Sequence, residues 1–121
     1  MDVAELVNVF IQRVVVKEKQ ARYTGFVGSS KNRKKFLEAL DHKLSSEIDL
    51  SKTTKSLDGK EWRTAAVLYS SNGTFGMTFN SLKEAYEQAS SYGGWLILGL
   101  SGHVAIFRPE GKNDDELYFK L

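Results

Sequence analysis

A chain of 121 residues, 41% hydrophobic and 26% charged, has the size and balance of one folded domain, and residues 1–121 are read as a single unit with its own core. It has no cysteine, which excludes thiol nucleophiles, disulfide frameworks and thiolate metal sites. The net charge is +2 but unevenly spread: residues 1–65 carry thirteen Lys/Arg against nine Asp/Glu, and residues 66–121 four against six.

Residues 2–21 read as one amphipathic helix. Val3, Leu6, Val7, Phe10, Ile11 and Val14 recur at helical spacing, and Asp2 can cap the start. The β-branched run Val14-Val15-Val16 weakens its last turns, and Gly25 is read as a stop. Residues 31–46 read as a second helix with Ser30 as N-cap. Phe36, Leu37, Leu40 and Leu44 form its apolar face. Residues 49–60 are polar and end in the turn signal Asp58-Gly59, so they read as a loop.

The period then changes. Residues 61–70 are dense in apolar and aromatic side chains and read as a buried strand. Ser71-Asn72-Gly73 is a hairpin turn, and residues 74–79 return. Asn72-Gly73-Thr74 matches a glycosylation sequon, but the turn reading accounts for it. Ser81 and Glu84 have the spacing of a capping box, opening a helix over Leu82, Ala85, Tyr86 and Ala89 that ends at Gly93-Gly94. Residues 95–100, 103–108 and 116–121 form three further strands. Ser101-Gly102 turns between the first two, and a looser turn over residues 109–115 joins the last two. The order α-α-β-β-α-β-β-β, rich in hairpins, predicts an α+β domain. Its sheet is mainly antiparallel, with helices packed on one face.

Catalytic and metal patterns fail on inspection. Gly99-Leu100-Ser101-Gly102-His103 approaches a nucleophile elbow, but that pattern needs glycine where His103 stands and a helix after the serine. His42 has Glu38 and Ser46 as its helical neighbours, which gives one useful metal ligand. Asp114-Asp115-Glu116 lacks a calcium-loop pattern, and no phosphate-binding glycine motif occurs. No cofactor is expected. The apolar run from Gly93 to Leu100 is too short to span a bilayer, and MDVAELVNVF lacks the basic start of a signal peptide. A soluble, cytoplasmic protein with no membrane partner is expected.

One stretch runs against local preference. The second helix opens with Lys31, Arg33, Lys34 and Lys35, and no acid occurs from Lys19 to Leu37. A helix start carries partial positive charge and favours acids, so each cation there costs about 0.3–1 kcal/mol at low salt. An anion at that point reverses the sign. Solvated lysines, good helix formers, are the alternative. Tyr23 and Phe26 lie just upstream, where they either belong to the core or stack on a base.

The sequence therefore points to a non-enzymatic binding module. Its first expected partner is a protein with an acidic surface, inhibitor or immunity-type docking being one form. Nucleic acid or phosphate bound through Lys31, Arg33, Lys34, Lys35, Tyr23 and Phe26 is the second reading. An enzyme built on His42 or His103 with carboxylates is the third.

Overall fold

The computed structural model describes residues 2–110 and 116–121. Residues 111–115, most of the expected looser turn and including Asp114 and Asp115, lie outside the described residues. The elements in chain order are α1 (Val3–Val14), α2 (Lys17–Gly28), α3 (Arg33–His42), β1 (Thr53–Thr54), α4 (Gly59–Trp62), β2 (Ala66–Ser70), β3 (Phe75–Phe79), α5 (Leu82–Ala89), β4 (Trp95–Gly99), β5 (Val104–Arg108) and β6 (Leu117–Lys120). Short 3-10 turns at Leu44–Glu47 and Leu50–Lys52 connect α3 to β1. The expected α+β class holds. The strands form one antiparallel sheet ordered β1-β6-β5-β4-β2-β3, with β4, β5 and β6 as the expected meander.

The sheet is covered on both faces, not on the one face expected. Val67, Tyr69, Leu96, Leu98, Ala105, Phe107 and Phe119 pack against α1, α2 and α3. Their strand neighbours Ala66, Leu68, Trp95, Ile97, Val104 and Ile106 face the opposite way, against Leu82, Ala85 and Ala89 of α5. Three helices thus share one face, while α5 crosses from β3 to β4 over the other. Alternation with period two assigns each residue to its face, so strands covered on both sides become continuously apolar.

The first expected helix is two helices. Val15 leaves helical geometry with φ −75° and ψ 139° and bridges Ile48. Val16 N–H donates to the Glu47 carbonyl at 2.8 Å, and Asp49 N–H to that of Val14 at 2.8 Å. The β-branched run yields its helical bonds to this short ladder. Helix α2 continues through Gly25, whose surroundings are open, to Gly28. The segment after Asp49 is more structured than a loop. Asp58 accepts from Glu61 N–H while the Glu61 carboxylate accepts from Asp58 N–H, a reciprocal cap that starts α4 where a turn and then a strand are expected. The strand accordingly begins at Ala66. At Ser81 the hydroxyl accepts from Glu84 N–H at 3.1 Å, as the spacing predicts.

One close approach fixes α3 on the sheet. A Cβ on Gly94 would lie 2.4 Å from the Leu40 carbonyl oxygen, and Gly94 N–H donates to Asp41 Oδ1 at 3.1 Å. Only glycine fits between β4 and the helix backbone there. Leu40 is fully buried at the same contact. Leu40→Ala is expected to lower unfolding free energy by about 2–5 kcal/mol. Gly94→Ala should also destabilise, because the obstructing atom is backbone. Urea unfolding of both variants checks this, with Gly25→Ala, at an open position, as the control.

Candidate binding site on helices α2 and α3

The chain leaves α2 at Gly28 and turns tightly: Asn32 N–H donates to the Ser29 carbonyl at 2.9 Å, and Arg33 N–H to the same oxygen at 3.1 Å. Asn32, not Ser30, precedes the first helical residue, and its side chain makes no capping bond. The first turn of α3 contains no acid. Neither usual device for satisfying a helix start is present in this turn.

The four cations do not act alike. Lys31, Lys34 and Lys35 are exposed. Arg33 turns inward. Its Nε donates to the Val27 carbonyl at 3.1 Å, and its guanidinium carbon lies 4.7 Å from the centroid of the Phe75 ring. It ties the end of α2, the start of α3 and strand β3 together through a hydrogen bond and a cation–π contact. Arg33 is therefore a structural cation, and the exposed positive charge at this turn comes from the three lysines.

The two upstream aromatics also separate. Tyr23 is fully buried, with edge-to-face contacts to Phe26 at 5.9 Å and Phe36 at 6.5 Å between ring centroids. Its ring belongs to the core and is not free to receive a base. Phe26 is half-buried. Arg22 Nη2 donates to the Tyr23 hydroxyl at 3.4 Å and pairs with the Glu47 carboxylate. The Tyr23 bond, then the Glu47 bond, raises the Arg22 pKa further. Burial pushes the Tyr23 hydroxyl up, and the Arg22 hydrogen bond partly offsets it.

Between α2 and α3 lies a groove of about 390 Å³ lined by Arg22, Tyr23, Phe26, Lys35, Glu38, Ala39 and Lys43. It brings Tyr23, Phe26 and Lys35 to one place, while Lys31, Arg33 and Lys34 are not part of its lining. Sequence reasoning missed Arg22, Glu38, Ala39 and Lys43 as lining residues. The signal was available in α3: positions 35, 38, 39 and 43 follow the i, i+3, i+4, i+8 spacing of one helical stripe. The groove is amphipathic, with apolar surface from Phe26 and Ala39, cations at Arg22, Lys35 and Lys43, and one carboxylate at Glu38.

His103 lies exposed in the turn after β4, and among the described residues no group of three His, Cys, Asp or Glu side chains is placed to hold a metal ion. No described helix is long and apolar enough to cross a membrane. Comparison with protein-family models, with characterised proteins and with solved structures returns no match.

The split among the cations has a measurable consequence. Arg33→Ala removes a hydrogen bond and a ring contact, each worth about 0.5–2 kcal/mol, and should lower stability by about 1–3 kcal/mol. Lys31→Glu and Lys34→Glu place acids at a helix start and should leave stability unchanged or raise it by about 0.3–1 kcal/mol each. Urea midpoints of the three variants at low salt decide between this assignment and an equal role for all four cations.

Proposed function

We propose that this chain is a small non-enzymatic binding module whose partner is a protein with an acidic surface. The observation that carries the reading is the exposed basic start of α3. Lys31, Lys34 and Lys35 stand exposed at its uncapped start, and Lys35 also opens onto the amphipathic groove with Arg22 and Lys43. An acidic residue docked there meets the helix-start N–H groups, the dipole and the lysines together. Phe26 and Ala39 offer apolar contact beside it, the mixture that protein interfaces use.

One feature weighs against nucleic acid as the partner: burial of Tyr23 removes one of the two rings proposed for stacking. Inhibitor or immunity-type docking, in which a small domain covers a toxin or enzyme, is one form this function takes. A soluble cytoplasmic setting goes with the reading.

The test is affinity capture from cells of the source organism by the wild-type chain and by the Lys31→Glu/Lys34→Glu/Lys35→Glu variant, each with and without nuclease. The expected result is a protein that the wild type retains after nuclease treatment and the folded variant loses. With the captured protein purified, the variant should associate about tenfold more slowly at low salt, and the difference should shrink as salt rises. Equal binding by the variant, or a partner released by nuclease, overturns the proposal.

A further inference from the structure

The sheet has two outer strands, and they differ. Strand β1 is two residues long. Strand β3 is five residues long, and among the described residues it pairs only with β2. Exposed edges commonly carry charge or proline that blocks further pairing. Residues 64–82, which contain all of β3, include no Asp, Glu, Lys, Arg or Pro. The one protective device is Gly76, whose φ of +87° sits at the irregularity in the β2–β3 register. It interrupts the strand's first half and leaves Met77–Phe79 regular.

The side chains of that regular half are arranged for a partner strand. Met77 and Phe79 pair with Leu68 and Ala66, so both point to the α5 face, whereas Thr78 points to the α1–α3 face. Met77 is 48% exposed and Leu100 39%, two of the three large apolar side chains most open to solvent. Beside the end of β3 a groove of about 390 Å³ is lined by Ala65, Thr78, Phe79, Asn80, Glu84 and Leu100. Of its two β3 residues, Phe79 lies on the same face as Met77 and Thr78 on the other.

We infer that the chain self-associates through β3, two copies pairing antiparallel about a two-fold axis at Thr78. In that register Thr78 opposes itself, and Met77 opposes Phe79 of the second copy. Each Met77 then packs against Phe79 of the other copy on the α5 face. The strand is its own complement: exposed Met77 and half-buried Phe79, two residues apart on one face, are exchanged by the symmetry. No like charges on β3 meet, because the strand has none. The result is a continuous twelve-stranded sheet held by a short ladder and two methionine contacts, a reversible dimer rather than an obligate one.

The absence of cysteine makes the test direct. Thr78→Cys introduces a single thiol. Directly opposed residues in an antiparallel ladder have Cα atoms about 4.5–5.5 Å apart, inside disulfide range. Under mild copper-catalysed oxidation, Thr78→Cys should cross-link to a covalent dimer far faster than Leu50→Cys, an exposed site distant in the fold. Sedimentation of the wild type should show mass rising toward a dimer with concentration. Met77→Lys, with unchanged circular dichroism, should weaken that association at least about tenfold, a loss of about 1.4 kcal/mol. A monomer at every accessible concentration overturns the inference. So does a dimer indifferent to Met77→Lys, or cross-linking no faster at 78 than at 50.

Discussion

Three central strands with both faces buried impose the arrangement of everything else. Once β2, β4 and β5 are apolar on alternate sides, each side must be covered, and one helical layer cannot do both. The chain divides the work by order. Helices α1–α3 precede the sheet and cover one face. Helix α5 is inserted between β3 and β4 and covers the other. The insertion also sets the strand order, since β4 returns beside β2 and leaves β3 outside. The open β3 edge is thus a direct result of where the second helical layer enters the chain.

The basic surface follows from the same packing. Helix α3 is held at two points that leave little freedom. Near its end, Gly94 admits the Leu40 backbone and donates to Asp41. At its start, Arg33 reaches the Val27 carbonyl and the Phe75 ring. Phe36 between them meets Tyr69 and Phe75 edge-to-face at about the same ring separation, 6.2 and 6.3 Å. With its inner stripe spent on these contacts, the helix turns Lys31, Lys34 and Lys35 outward. A helix fixed this firmly tolerates an unfavourable start, because tertiary packing supplies what local capping does not.

Much of this was legible in the residues, and the failures have physical causes. Periodicity located α1, α3, α5 and all the longer strands, and turn glycines set the hairpins. The second covered face was also present in the sequence. Trp95–Gly99 and Ala66–Ser70 are apolar without alternation, which requires cover on both sides. The break at Val15 was only half visible: the β-branched run weakens a helix, but its pairing with Ile48, thirty-three residues later, is a long-range event. At the site, Lys31, Lys34 and Lys35 lie exposed, which both the binding patch and the solvated face require, whereas Arg33 and Tyr23 are drawn inward by Phe75 and Phe36. Residue type gives charge and propensity; it does not say which of four neighbouring cations finds an aromatic ring in a strand some forty residues away.

The two proposed surfaces have a geometric relation. A two-fold axis between antiparallel edge strands runs perpendicular to the sheet, so pairing through β3 keeps like faces on the same side. Both α1–α3 layers then lie on one side of the joined sheet. Because Arg33 rests on Phe75, three residues from Thr78, the start of each α3 lies near the paired edge. Dimerisation would bring the two lysine clusters to either side of the axis on a common surface. Their mutual repulsion opposes the dimer at low salt, while an acidic partner that bridges both clusters relieves it. Binding and self-association are then linked: a bivalent acidic surface favours the dimer by the difference between its affinity for two adjacent clusters and for one, and the second contact forms at the high effective concentration set by the first. A partner that touches only one cluster leaves the monomer–dimer balance where it was.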